Sequence, residues 1–349
     1  MKSKRTLVTV AIILGLLWLA YHFLRHGSNL HSFSWRRLWQ VTLTMRLWML
    51  LLALSLSYFA YILRALRWQV LMPPGGRFWP ILKGTLIGFT GVALLGRPGE
   101  LIRPYYIARK LHVRFPDQMT VWVVERTFDM GTTGLLLGLA LWLSPNLSAL
   151  LRSTGDITEI HRGGQIILIL VVCLIVLLGW IYRYGMRLSE QLHHHPATWR
   201  RKLESVLRQL SRGMHGGISS PTRLALSLAC SAAMWLTIAW STQALVLAYP
   251  HMLPDFSLGQ AILLMGLVSL GSLVQLPAIG GGMQVAAALA LTKFFGAASV
   301  PATSTALLLW ILSFYAIAPF GVYFAAHEGI SWRRAGREAL AAETAATEK

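Results

Sequence analysis

Apolar runs of roughly 15 to 25 residues recur along the whole chain, and short polar segments between them hold most of the arginines and lysines. A run of ~20 apolar residues rising 1.5 Å each crosses a hydrocarbon core of ~30 Å. The pattern predicts full spans at about 7–20, 47–63, 120–143, 164–182, 223–248 and 302–325. Lys2, Lys4 and Arg5 ahead of the first run give it the look of a signal peptide. The bulky Tyr21, His22 and Phe23 that follow do not suit a small-residue cleavage site, so it reads as an uncleaved span with a cytoplasmic N-terminus.

Two further apolar stretches are interrupted. The arms 81–95 and 101–113 are separated by Gly96-Arg97-Pro98-Gly99-Glu100, and the arms 258–276 and 283–295 by Pro277 to Gly282. An arm of ~15 residues covers about 22 Å, too little to cross. Each pair therefore reads as a re-entrant hairpin, although arm 258–276 is itself long enough to span. Such backbone survives at membrane depth only where protein or a water-filled cavity covers it. The expected fold is an all-α polytopic membrane protein with six full spans and two opposed broken-helix hairpins in an inverted-repeat-like arrangement. One transmembrane domain would occupy 1–325. Its first half is 40–145 with hairpin 81–113, and its second half is 222–325 with hairpin 257–296. A basic loop at 183–221 and a tail at 326–349 complete the chain.

The loops carry orientation signals. Arg64, Arg67 and Arg77 after the second span, the basic loop 183–221, and Arg333, Arg334 and Arg337 predict cytoplasmic segments, the C-terminus included. Loop 144–162 is charge-balanced, and 249–257 has Asp255 and no lysine or arginine, so both predict the external side. The first hairpin then enters from the cytoplasm and the second from outside. Segment 24–46 breaks the bias, because its arginines would lie outside. There Trp35, Leu38, Trp39 and Leu43 interleave with Arg36, Arg37 and Arg46, which suits a helix in the headgroup layer. In 183–221, Leu203, Val206, Leu207 and Leu210 form a helical stripe flanked by Arg200, Arg201, Lys202 and Arg208. That pattern predicts contact with an anionic leaflet.

Composition narrows the class. Hydrophobic residues make up 55% of the 349 positions and charged residues 13%, about half the charge of a soluble domain. Mean hydropathy is +0.55. Lys and Arg number 32 against 13 Asp and Glu, a net charge of +19. Because the basic residues cluster between apolar runs rather than on one face, they fit the positive-inside bias and not a nucleic-acid surface. Cys173 and Cys230 lie inside apolar runs and read as small buried hydrophobes, without disulfide or zinc spacing. His193-His194-His195 reads as a polar loop triplet ahead of Pro196, and no cofactor or metal is expected. The chain contains no GxxxxGK[ST], HExxH or GxSxG motif, so nucleotide hydrolysis, zinc proteolysis and a hydrolase elbow have no support.

Three constellations carry candidate chemistry. In the first, Arg97, Gly99, Glu100 and Arg103 stand at a break where Glu100 and Arg103, three apart, can pair on one helix face. The second arm would begin there with its N-terminal amides aimed into the membrane, a ready anion site. In the second, Glu125, Arg126 and Asp129 sit at the start of the third span. Each charge costs ~2.5–3.5 kcal/mol at a helix centre on insertion scales, so the three need partners, which Arg97 or Arg103 could provide. The third is Gln275 to Gln284, where Gln275, Gly281, Gly282 and Gln284 repeat the form of the first with a neutral residue in place of the acid.

Arg67-Trp68, Pro98-Gly99-Glu100 with Arg103, Glu125-Arg126 with Asp129, Leu276-Pro277 with Gly280-Gly281-Gly282, then Gly296 and the stretch from Ala306 to Gly321, together resemble the lysylphosphatidylglycerol synthase transmembrane region family and its UPF0104-type, flippase-like members. The resemblance covers about residues 7–325. Two departures stand out. Gln284 replaces an acid, and Trp310 stands in a last span that often carries an arginine, so no second charged site is implied. No soluble aminoacyl-transfer domain follows residue 325, so the resemblance implies the membrane activity alone, moving lipid between leaflets.

The expected function is a flippase or transporter of the bacterial inner membrane for a lipid with a polar, anionic headgroup. Arg97 and Arg103 would hold the phosphate. Glu100 would orient Arg103 or exchange a proton. Arg67, Glu125, Arg126 and Asp129 would brace or gate the site, and Gln275 and Gln284 would add neutral hydrogen bonds. Two other readings stand beside it. One is a membrane-embedded transferase on a lipid-linked substrate, with Glu100 or Glu125 as base. The other is a membrane partner that recruits a lipid-modifying enzyme through loop 183–221. Expected partners are membrane lipids, the anionic leaflet surface and a lipid-modifying enzyme or a second copy of the chain.

Overall fold

The structure is a computed structural model. It describes residues 35–72, 76–143, 157–192, 220–272, 275–276 and 280–329, together with Glu204, Leu207, Arg208 and Ser211. The predicted span 7–20, most of loop 144–162, the histidine triplet and the tail beyond 329 lie outside the described residues.

The described residues are helical apart from one short strand pair. In chain order they form α1 (Trp35–Leu43), α2 (Leu47–Leu71), α3 (Phe78–Leu95), a 3₁₀ turn (Arg97–Leu101), α4 (Ile102–Lys110), α5 (Phe115–Leu143) and α6 (Ile157–Leu192). There follow α7 (Pro221–Leu247), α8 (Leu258–Gly271), β1 (Gln275–Leu276), β2 (Gly280–Gly281) and α9 (Gly282–Leu289). A π-helical turn at Ala290–Phe294, α10 (Ser299–Trp310), a second π-helical turn at Ile311–Tyr315 and α11 (Ala318–His327) complete the order. Among the described residues, 5 helices are long and apolar enough to cross a membrane: Leu47–Leu71, Phe78–Leu95, Arg162–Ile181, Pro221–Leu247 and Ser299–His327. The chain is a multi-pass membrane protein.

Several predicted boundaries move. The second span continues to Leu71, so Arg64 and Arg67 are helix residues and not the start of a loop. The arm at 81–95 starts at Phe78 and reaches 18 residues, because Pro80 falls in the first turn, where its missing N–H costs nothing. Helix α5 has 29 residues, but its four charged residues keep it out of the apolar set. Helix α6 runs to Leu192, ten residues past its expected end. In the predicted basic helix, Leu207 is buried beside Ile181 and Leu188, so this leucine packs on protein. Glu204 pairs there with Arg208 at 2.7 Å.

Both interrupted stretches fold back on themselves. Gly96, with φ 71°, ends α3. Helix α4 then returns along it: a Cβ at Gly84 would lie 2.8 Å from Tyr106 and Ile107, a Cβ at Gly88 would lie 2.5 Å from Arg103 Cβ, and a Cβ at Gly99 would overlap the backbone of Gly91. Small residues at 84, 88 and 91 let two backbones approach. In the second pair, α8 is capped by Ser257, which accepts from the Gln260 N–H while Gln260 accepts from the Ser257 N–H. That reciprocal capping fixes its start. It ends at Gly271 after 14 residues, about 21 Å, so it is shorter than the spanning arm expected from 258–276. Strands β1 and β2 pair antiparallel, Gln275 with Gly281 and Leu276 with Gly280, and α9 packs back on α8 where a Cβ at Gly271 would overlap Ala286.

Helix α7 lies along α2. Ser241 Oγ donates to the Ala53 carbonyl at 2.8 Å and stands 3.0 Å from Ser57 Oγ. One apolar core, with Leu264, Met283, Ala287, Leu291 and Ala306, surrounds the second hairpin. Another, with Trp68, Ile87, Ile102, Ile107 and Val121, surrounds the first. Helix α1 turns Leu38 inward and leaves Trp39 and Leu43 exposed. Thr42 tethers it to Ser304 of α10 at 2.6 Å.

Just beyond α11, the Glu328 carboxylate accepts from Lys110 Nζ at 2.7 Å and Lys83 Nζ at 3.1 Å. The hydrogen bond from Lys110, then that from Lys83, holds the Glu328 carboxyl below its usual range. A carboxyl depressed in the folded state adds stability above its unfolded pKa of about 4.3 and loses it as pH falls through the lower folded value. Glu328→Gln is therefore expected to lower the unfolding free energy by no more than about 1 kcal/mol at neutral pH. The difference should vanish in acid, which denaturant titrations at the two pH values check.

Candidate functional site

Arg67 lies at the centre of a buried ionic network joining α2, α4, α5 and α7. It is fully buried. Its Nη2 donates to Glu125 Oε1 at 2.7 Å, and its Nη1 donates to Asp129 Oδ1 at 2.6 Å and to Ser231 Oγ at 2.9 Å. Glu125 and Asp129, four apart, share one face of α5 and meet Arg67 together. Arg103 comes from α4: its Nη1 donates to Glu125 Oε2 at 2.9 Å and its Nη2 to the Arg64 carbonyl at 3.1 Å. Its guanidinium lies 4.0 Å from the Trp68 ring centroid, within cation–π range. Arg126 pairs with Asp129 Oδ2 at 2.8 Å, and Trp235 Nε1 donates to Asp129 Oδ1 at 3.1 Å. Trp68 Nε1 donates to Gln118 at 3.0 Å. The partners that Glu125, Arg126 and Asp129 need inside a membrane are thus present, supplied by Arg67 as well as by Arg103.

Two cavities open beside this network. One, of about 210 Å³, is walled by Arg64, Arg103, Arg126, Glu100 and Trp122, with Gly88 and Val92 of the first hairpin. The other, of about 180 Å³, is mainly apolar, walled by Met265, Leu309, Leu312 and Met283 and dotted with the hydroxyls of Ser57, Ser241, Thr242, Ser269 and Ser313. Arg64, Phe89, Trp235, Ser272 and Phe314 line both. The charged chamber thus adjoins the apolar one across these shared side chains, and each broken hairpin contributes to the walls: Glu100 and Arg103 from the first, Ser272 and Met283 from the second.

The expected site residues divide accordingly. Glu100 and Arg103 face the charged chamber. Arg67, Glu125 and Asp129 lie behind it as the network, and Arg126 belongs to both. Gly99 packs on Gly91 and closes the first turn. Arg97 opens the 3₁₀ turn, and its side chain lies outside the described residues. In the second half, Gly281, with φ 110°, and Gly282 build the turn. Gln284 Oε1 accepts from the Gly281 N–H at 2.7 Å, so it holds the turn and lines neither cavity. Gln275 pairs through its backbone with Gly281. The sequence reading missed Arg64, Ser231 and Trp235 as parts of this site. The first had a usable signal, since Arg64 and Arg67 stand one turn apart on α2.

A buried ionic network between helices, with one charged and one mainly apolar cavity beside it, defines a polytopic membrane protein with ionised groups at its core. The lysylphosphatidylglycerol synthase transmembrane region profile matches residues 6–321, and the chain belongs to that family. A UPF0104 membrane protein of Methanothermobacter thermautotrophicus is 25% identical over 293 residues, covering 79% of this chain and 83% of the relative.

Proposed function

We propose that this chain moves a lipid with an anionic headgroup between the leaflets of the inner membrane, both its termini being cytoplasmic. The observation that carries the reading is the adjoining pair of chambers. A headgroup cannot cross hydrocarbon without several kcal/mol per unsatisfied polar group. A cationic chamber supplies partners for it, while the adjoining chamber accepts glycerol and acyl carbons.

In this reading Arg103, Glu100 and Arg97 contact the headgroup. Arg67, Glu125, Arg126 and Asp129 brace the wall, and Gln275, Gly281, Gly282 and Gln284 shape the second hairpin. The family assignment supports a lipid-related role, and the basic segments 183–221 and 333–337 support a cytoplasmic placement beside an anionic leaflet. The lipid leaves chemically unchanged.

Photocrosslinking tests the occupancy. An anionic lipid with an acyl-chain diazirine, incorporated with the protein into vesicles, is expected to label Met265, Leu309 or Leu312. Labelling confined to the outward side chains of α6, such as Ile169 and Val176, would contradict the reading.

A further inference from the structure

Arg64 differs from its neighbours. Arg67 is held by Glu125 and Asp129, Arg103 by Glu125, and Arg126 by Asp129. Arg64, on the same face of α2 one turn earlier, makes no ion pair with a carboxylate among the described residues. Its Nε lies 3.3 Å from Met234 Sδ, and its guanidinium rests 4.4 Å from the Phe89 ring centroid and 5.8 Å from that of Tyr61. It lines both chambers. On the same charged wall, the buried Arg103 keeps its Nε without a hydrogen-bond partner. The arginines Arg64, Arg67, Arg103 and Arg126 outnumber Glu100, Glu125 and Asp129, so the described side chains of the cluster leave positive charge unbalanced. An uncompensated charge out of water is costly, and an anionic ligand that pairs with it recovers that cost.

We propose that Arg64 is the residue that receives the ligand's phosphate ester, between itself and Arg103, with the attached chain running into the hydroxyl-dotted chamber. The inference rests on the proposed lipid site and names the contact within it. A guanidinium matches a phosphate through two parallel hydrogen bonds, which an ammonium cannot. The aromatic faces of Phe89 and Tyr61 park the guanidinium when no anion is bound. A free phosphate would use the charged chamber alone, whereas a phospholipid uses both, and the shared arginine at the junction favours the lipid.

The test titrates the full-length protein in detergent with dihexanoyl phosphatidylglycerol, dihexanoylglycerol, glycerol 3-phosphate and inorganic phosphate, reading tryptophan fluorescence (Trp235 sits at the junction) and thermal stabilisation. Wild type is expected to bind the phosphatidylglycerol and to melt higher with it. Arg64→Gln should weaken that binding ~10- to 100-fold, the range of one charge-assisted contact, and leave dihexanoylglycerol binding unchanged. Arg64→Lys, which keeps the charge should the glutamine variant not fold, should still bind several-fold more weakly than wild type. The ligand-free glutamine variant should melt at or above wild type, which a merely structural arginine would not allow. Unaltered phosphatidylglycerol affinity in both variants would overturn the proposal, and so would equal affinity of wild type for inorganic phosphate and the phospholipid. If Arg64-dependent binding persists where vesicles show no lipid movement, the transport reading fails and this inference stands. Movement without Arg64-dependent binding has the opposite meaning.

Discussion

Replacing Glu125 by alanine is expected to leave little folded protein after detergent extraction. Glu125 accepts from Arg67 at 2.7 Å and from Arg103 at 2.9 Å, and it is completely buried. Its removal leaves Arg103 without a carboxylate among the described residues and Arg67 with Asp129 alone, and breaking a buried pair in this way costs about 3–5 kcal/mol. Net stabilities of whole domains are only about 5–15 kcal/mol, so the loss is a large share of the total. Glu125→Gln keeps the shape and two acceptor lone pairs and should fall between alanine and wild type. Yield of monodisperse protein on size exclusion, with SDS unfolding midpoints, measures the order. An alanine variant with the wild-type midpoint would show that the network does not hold α2, α4 and α5 together.

The second large effect is on function with the fold intact. Ser272 is the small residue among the five that line both chambers, and it sits at the C-terminal end of α8, where its Oγ donates to the Ser269 carbonyl at 2.7 Å. An indole there fills the junction. Ser272→Trp should leave the melting temperature close to wild type, because the bulk enters existing space rather than packed core, and should reduce lipid movement at least ~10-fold. Phe314→Ala, which widens the same junction, should not reduce it. A tryptophan variant that folds and moves lipid at the wild-type rate would place the path elsewhere.

The two breaks were legible because Gly and Pro interrupt apolar runs, and in the first of them Gly96 ends one helix before the 3₁₀ turn that leads into the next. The register of the first was also within reach, since Gly84, Gly88 and Gly91 stand at helical spacing. The end of α8 was not. From Gly271 to Leu276 only Ser272 and Gln275 break the apolar run, and hydropathy does not distinguish a helix from the strand that follows it. Arg64 and Arg67 were misplaced for a related reason. Charge normally marks a helix leaving the membrane, and only tertiary contact, of Arg67 with Glu125 and Asp129 and of Arg64 with Phe89, shows that these two face neighbouring helices. The Arg67-Trp68 pair carried a family resemblance before it carried a mechanism. Its physical content is that Arg67 holds the acids while the Trp68 ring supports Arg103. Gln284 was expected to offer hydrogen bonds to a ligand, but its acceptor oxygen is taken by the Gly281 N–H three residues back, a local competition that spacing alone does not decide.

The measurement that bears most directly on the central claim is leaflet-to-leaflet movement of a headgroup-labelled anionic phospholipid in proteoliposomes, followed by quenching of the outer leaflet, with wild type beside Arg103→Ala and Glu100→Gln. The proposed lipid path predicts fast loss of inner-leaflet signal with wild type and slow loss with both variants. Movement in wild type no faster than in protein-free vesicles, across phosphatidylglycerol and other anionic headgroups, would contradict the account.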